Sequence, residues 1–166
     1  LGFIHKVSFG GAAGSYSEQA AKALFPNAER VPSWSFAEAC AQVMEGAMDA
    51  VVLPMANTSG GPVETVYRLL QQHLYIARYI DLSVVHRLAV LPGTTIADVK
   101  TVLSHPQALA QCSAAIRDRA WRTVPVENTA YAPQEVARRA DKSVAAICSE
   151  EAAAVNGLTA LPETIC

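Results

Sequence analysis

The side chains of this sequence that could do chemistry gather in four short polar clusters. Ser15, Tyr16, Ser17 and Glu18 follow glycines at 10, 11 and 14. Asn57, Thr58 and Ser59 precede Gly60 and Gly61. Ser104, His105 and Gln107 flank Pro106, with Gln111 one turn further on, and Glu127, Asn128 and Thr129 stand together. Hydroxyls, carboxamides and the bare backbone N–H groups of a helix start suit one kind of work: hydrogen-bonding the oxygens of a small anion. Other chemistries lack their parts. No pair of carboxylates is set for acid and base work, no Gly-x-Ser-x-Gly elbow is present, and no histidines or cysteines stand at metal-ligand spacing. The glycines at 10, 11 and 14 fit neither a dinucleotide fingerprint nor a Walker loop, because no Gly-Lys-Ser/Thr follows. Neither a metal nor a cofactor is expected.

Each cluster also has a plainer use. Ser15 or Ser17 can simply cap a helix, and so can Thr129. Asn57, Thr58 and Ser59, with Pro62 placed for the first helical position, serve equally as a cap or as a carboxylate cradle. Gln107 and Gln111 fall three and seven residues after Ser104, so that the three can share one helical face. No acidic residue stands near His105 to orient it as a base, which suits a neutral, hydrogen-bonding role for this cluster. His105, like His86 in VVHRLAV, reads as a packed or solvated ring, with a functional role left open.

What positions these clusters is an alternation of short apolar runs and amphipathic segments. KVSFG precedes YSEQAAKALF, DAVVLP precedes GPVETVYRLLQQ, VKTVLS precedes PQALAQCSAAIRDRA, RTVPV precedes YAPQEVARRA, and SVAAIC precedes SEEAAAVNG. Strand then helix, repeated, calls for an α/β fold with a mostly parallel sheet. Ligands of open α/β sheets bind beyond the carboxyl ends of strands, where the four clusters fall. Residues 74–91 break the alternation: rich in β-branched and aromatic residues, they read as two extended strands joining one lobe to the next.

Composition narrows the partners. With 166 residues, 51% of them hydrophobic, the chain can bury a core without disulfide or metal staples. A formal charge of −2 and a pI near 6.1 predict no field that would gather nucleic acid or an anionic membrane. No apolar run approaches the roughly 20 residues of a membrane helix, and LGFIHK lacks a signal-peptide core, so a cytoplasmic location is expected. Cys40, Cys112, Cys148 and Cys166 are scattered singly and read as buried, reduced thiols.

Taken in order, the clusters resemble the prephenate dehydratase family along nearly the whole chain. FGGAAGSYSEQAA resembles its opening glycine-rich loop, LPMANTSGGPVETVYRLL its Pro-Ile-Glu-Asn-Ser/Thr loop, and ENTAYAPQEVA its Asp-Thr-Ala segment; SHPQALAQC is close to identical to its third motif. The resemblance implies an α/β, two-lobed, periplasmic-binding-protein-like (type II) domain: mostly parallel sheets, flanking helices and a ligand cleft between lobes. Residues 1–80 would form the first lobe, with 157–166 returning to it, and 81–156 the second. It further implies decarboxylating dehydration of prephenate to phenylpyruvate, without a cofactor, in an enzyme that is commonly a homodimer or homotetramer. Ser104, Thr58 and Gln111 are the candidate catalytic groups. Asn57, Ser59, Gly60, Gly61, Ser104, His105, Gln107, Gln111, Thr129, Ser15 and Tyr16 are the candidate substrate contacts, converging from both lobes on a small dianion.

The sequence departs from the family in places. Ala56 stands where the family has Glu, Ala12 and Ala13 where it has an acidic residue or proline, and Asn128 where it has Asp. The family's Thr-Arg-Phe motif and phenylalanine-sensing ACT domain lie beyond the position matched by Cys166 and are not among these residues, so feedback regulation is not carried over. Two alternatives follow: a prephenate decarboxylase-like enzyme, against which SHPQALAQC argues, and a two-lobed carboxylate-binding module without the chemistry.

Overall fold

Val7, Ser8 and Phe9 are fully buried in strand β1 (Lys6–Gly10), because parallel strands on both sides leave β1 no open edge. The computed structural model describes residues 3–71, 74–127 and 131–166. It divides into Leu1–Ala12 with Tyr16–Leu82, and Ala13–Ser15 with Ser83–Cys166. In the first unit β1 lies between β2 (Glu29–Ser33) and β3 (Ala50–Val52), both parallel to it, with Val7 opposite Arg30 and Ala50. Helix α1 (Tyr16–Leu24) packs Ala21 onto Val7, Phe9, Ala28 and Val52. Helix α2 (Phe36–Met44) starts at Ser35, whose hydroxyl accepts from Glu38 N, while the Glu38 carboxylate accepts from Trp34 N at 2.8 Å. A two-residue hairpin, β4 (Ala56–Asn57) and β5 (Gly61–Pro62), leads into α3 (Glu64–Leu70).

The second unit is built on a five-stranded sheet. Its strands are β6 (Arg87–Val90), β7 (Thr101–Ser104), β8 (Arg122–Pro125), β9 (Val144–Cys148) and β10 (Thr159–Thr164), in the order β10-β6-β9-β7-β8. β7 runs parallel to β8 and β9, while β6 is antiparallel to both β9 and β10. Central β9 reads VAAIC and is buried at every residue, as a strand covered on both faces must be. Between β6 and β7 a single 3₁₀ turn, Ile96–Asp98, is held by a Thr95–Asp98 capping box. Helices α4 (Pro106–Gln111), α5 (Ser113–Asp118), α6 (Tyr131–Arg139) and α7 (Glu150–Val155) cover the sheet, burying Ala108, Ile116, Val136 and Ala153 in its two apolar clusters. Fully buried Leu88, Leu103 and Ile147 each contribute about 1.5–3 kcal/mol of apolar transfer.

Four expectations are corrected. Residues 157–166 do not return to the first unit: Gly157, at φ +69°, turns the chain after α7, and β10 then pairs with β6, Thr159 opposite Val90. Of residues 74–91 only Arg87–Val90 forms a strand. The described residues before it make no regular element and leave Tyr75 and Tyr79 exposed, because β propensity yields a strand only against a partner edge. The expected helix PQALAQCSAAIRDRA splits into α4 and α5 at Cys112, whose φ −92° and ψ 15° leave the α basin. Cys112 and Cys166 form a disulfide, their Cα atoms 4.6 Å apart, because Ile165, just after β10, packs in the same apolar cluster as Ala108 and Cys112. Cys40 and Cys148 are free and buried, and burial pushes the Cys148 thiol up to about 12.

Candidate functional site

In the first unit the glycine turn is shaped by packing. A Cβ on Gly10 would lie 2.5 Å from the Phe36 ring, and Gly11, at φ +115°, donates its N–H to Ser33 O at 3.0 Å. Tyr16 opens α1, with Glu18 in its first turn. The second cluster lies at the tip of the β4–β5 hairpin rather than at a helix start. The Asn57 carboxamide oxygen accepts from Ser59 N at 3.1 Å and from Gly60 N, closing a local Asx turn. Gly61 takes φ +70°, Pro62 belongs to β5, and α3 begins two residues later behind Val63, with no side-chain cap. Asn57, Thr58, Ser59 and Gly60 are all exposed. The expected helix-start cradle is therefore corrected. Two of the N–H groups that would meet an anion are held by Asn57, and the Thr58 and Ser59 hydroxyls sit on an exposed tip.

The second unit builds its polar groups inward. Ser104, the last residue of β7, is fully buried and donates from Oγ to Ile147 O on β9 at 2.6 Å. Since it precedes α4, it shares no helical face with Gln107 and Gln111, and that expectation too is corrected. His105 is the N-cap of α4, its Nδ1 accepting from Gln107 N at 3.2 Å ahead of Pro106. Gln111, half-buried at the end of α4, holds its Oε1 2.7 Å from Nε2 of His86, just ahead of β6. Burial holds the His86 imidazole below its ordinary pKa, partly offset by the bond to Gln111.

Residues Ala13–Ser15 belong to this unit as well. Gly14 O accepts from Ser149 Oγ at 2.7 Å, and Ser149 Oγ in turn accepts from Ala152 N at the start of α7. Gly14, at φ +81°, lies so close to α7 that a Cβ would be 2.5 Å from Ala152 Cα. Only glycine fits, and the half-buried Ser15 follows it.

Among the described residues the structure thus joins Gln111 to His86 and Ser104 to Ile147, and it leaves Asn57, Thr58, Ser59 and Gly60 exposed in the first unit. Thr129, with Asn128, lies outside the described residues. Reading the sequence missed the engagement of His86 and the double role of Ser149. Ser149 did carry a signal, a serine directly before Glu150 and Glu151. No group of three or more His, Cys, Asp or Glu that could hold a metal ion occurs among the described residues, and none of the described helices is long and apolar enough to cross a membrane.

Parallel strands β1, β3, β7, β8 and β9 with flanking helices define an α/β protein class. The family model for prephenate dehydratase matches residues 7–166. The chain belongs to the prephenate dehydratase family.

The chain is 40% identical over 161 residues to arogenate dehydratase/prephenate dehydratase 1 of Arabidopsis thaliana, covering 96% of this chain and 41% of that protein. It is 35% identical over 162 residues to the bifunctional chorismate mutase/prephenate dehydratase of Escherichia coli, covering 94% of this chain and 42% of that protein. It therefore spans about two fifths of the length of these relatives. Among solved structures, prephenate dehydratase from Arthrobacter aurescens in complex with L-Phe superimposes with a TM-score of 0.85 at 28% identity, over 96% of this chain and 55% of that one. A structure described as GqqA, a novel type of quorum quenching acylase, superimposes with a TM-score of 0.88 at 30% identity, over 97% of this chain and 59% of that one.

Proposed function

We propose that this chain carries the catalytic α/β portion of a prephenate dehydratase, converting prephenate to phenylpyruvate. The observation that carries the reading is the family match across residues 7–166, with SHPQALAQC intact within it. In the reaction, the bond from the ring to its carboxylate breaks and its electrons enter the ring. The ring expels the hydroxyl, which leaves with a proton as water, and carbon dioxide departs as the ring becomes aromatic. Departing carbon dioxide supplies the electrons, so no strong base is needed. What the protein must supply is orientation, and donors for two carboxylates and a leaving hydroxyl. The half-buried Gln111 amide and the exposed hydroxyls of Thr58 and Ser59 are neutral groups of that kind.

Relatives named arogenate dehydratase direct attention to arogenate as a second candidate substrate. The likeness to an acylase suggests amide hydrolysis as a competing reading. Ser104 weighs against it, being fully buried and donating to a backbone carbonyl rather than to a base.

Incubating the protein separately with prephenate, arogenate and an N-acyl amide decides among these. Phenylpyruvate, detected by its alkaline enolate absorbance, is the expected product from prephenate. A non-aromatic keto acid would point to decarboxylation alone, and hydrolysis of the amide with prephenate left intact would overturn the proposal. Gln111→Ala should lower kcat/KM by roughly tenfold, the loss of one half-buried hydrogen-bond partner.

A further inference from the structure

His86 and Gln111 are 25 residues apart, yet the imidazole Nε2 lies 2.7 Å from the carboxamide Oε1. An amide oxygen only accepts, so Nε2 carries the proton. Burial holds the ring below its ordinary pKa, so at pH 7 it is mostly neutral, with its one proton on Nε2 and Nδ1 unprotonated. That arrangement acts on the glutamine as much as on the histidine. A glutamine carboxamide rotates about its last torsion and can present either its oxygen or its NH2 group in a given direction. With the oxygen committed to His86, the opposite end of Gln111 is a donor and nothing else.

We propose that His86 is a positioning residue that fixes the Gln111 carboxamide with its NH2 end as the donor for a carboxylate or keto oxygen of the substrate. The substrate's identity rests on the dehydratase reading; the fixing of the amide does not. The geometry assigns a direction to Gln111, which the family resemblance marks only as a contact. It also assigns work to a histidine that the sequence alone reads as a packed ring. A neutral donor suits a substrate that is already a dianion, since it can hold an oxygen without adding a titrating charge beside the reacting ring.

Two measurements test this. In histidine-labelled protein without ligand, ¹⁵N NMR should show His86 with Nε2 protonated and Nδ1 bare, and Gln111→Leu should shift the Nε2–H signal and speed its exchange with water. Protonation on Nδ1 instead, or a signal unmoved by Gln111→Leu, would overturn the proposal. In the second measurement, His86→Leu should raise the KM for prephenate about tenfold, with a smaller change in kcat. His86→Gln, which keeps an N–H donor, should recover to within about threefold of wild type. Equal losses in both variants at matched melting temperatures, or no loss in either, would also overturn it. If wild-type protein neither binds nor converts prephenate, the dehydratase reading fails on its own account, and the NMR result still decides whether His86 sets the amide.

Discussion

The Asn57–Gly61 tip and the His86–Gln111 pair both use a carboxamide oxygen as a hydrogen-bond partner, and they differ in what surrounds it. Asn57 binds its own loop, accepting from residues two and three positions on, at an exposed hairpin tip. Gln111 is held by a residue from another element, with the imidazole only 7% exposed. The first bond competes with water and is worth little. The second lies where water has less access, and removing Gln111 takes a hydrogen bond from the buried His86 ring. The family's two motifs thus meet different conditions: one on an exposed tip, and one with its amide bonded to a residue 25 positions away.

The comparison can be broken from the buried side first. Reducing the Cys112–Cys166 disulfide, which closes a loop over 54 residues beside Gln111, should cost about 2–4 kcal/mol of stability. The check is thermal unfolding with and without reductant, and Cys166→Ser should remove the difference. Ser104→Ala, which strips the donor from buried Ile147 O, should cost about 1–3 kcal/mol in denaturant unfolding.

His86 sharpens the comparison through pH. Its folded pKa lies below the ordinary 6.5, so the unfolded chain binds more protons between the two values. The stability it contributes is present above about pH 6.5 and is lost as pH falls through the folded value. Unfolding midpoints taken from pH 7.5 down to 5 should show that decline in wild type and not in His86→Gln. At the exposed end, Asn57→Ala should change stability by less than about 1 kcal/mol, since it opens a solvated Asx turn. If Asn57→Ala costs as much as Ser104→Ala, the contrast between the two regions fails.

The alternation of strand and helix was legible because β1, β7 and β9 are largely buried runs, and β3 a half-buried apolar one, each followed by an amphipathic segment. The two main strands it did not reveal, β2 and β10, share a cause. Both lie at sheet edges and both contain a proline, Pro32 and Pro162, amid mixed polar residues, whereas the edge strand β8, with Pro125, was legible from its place before an amphipathic segment. Residues 74–86 failed in the opposite sense, with strand composition but no strand. At the site, residue types were legible and engagement was not. That Ser104 is a hydrogen-bonding serine follows from its neighbours in sequence, whereas its bond to Ile147, 43 residues away, does not. The His86–Gln111 and Cys112–Cys166 pairs are likewise tertiary facts, fixed by how β6 and β10 lie in one sheet.

The seam at Gly14 bears on how the chain can be taken apart. Three residues from its opening stretch are fastened to α7, where Ser149 holds the Gly14 carbonyl and a missing side chain admits Ala152. A single cut between Leu82 and Ser83 therefore would not liberate a self-sufficient C-terminal half. That half would begin life with a gap over α7, and a short peptide spanning Ala13–Ser15 is the plug that fits it.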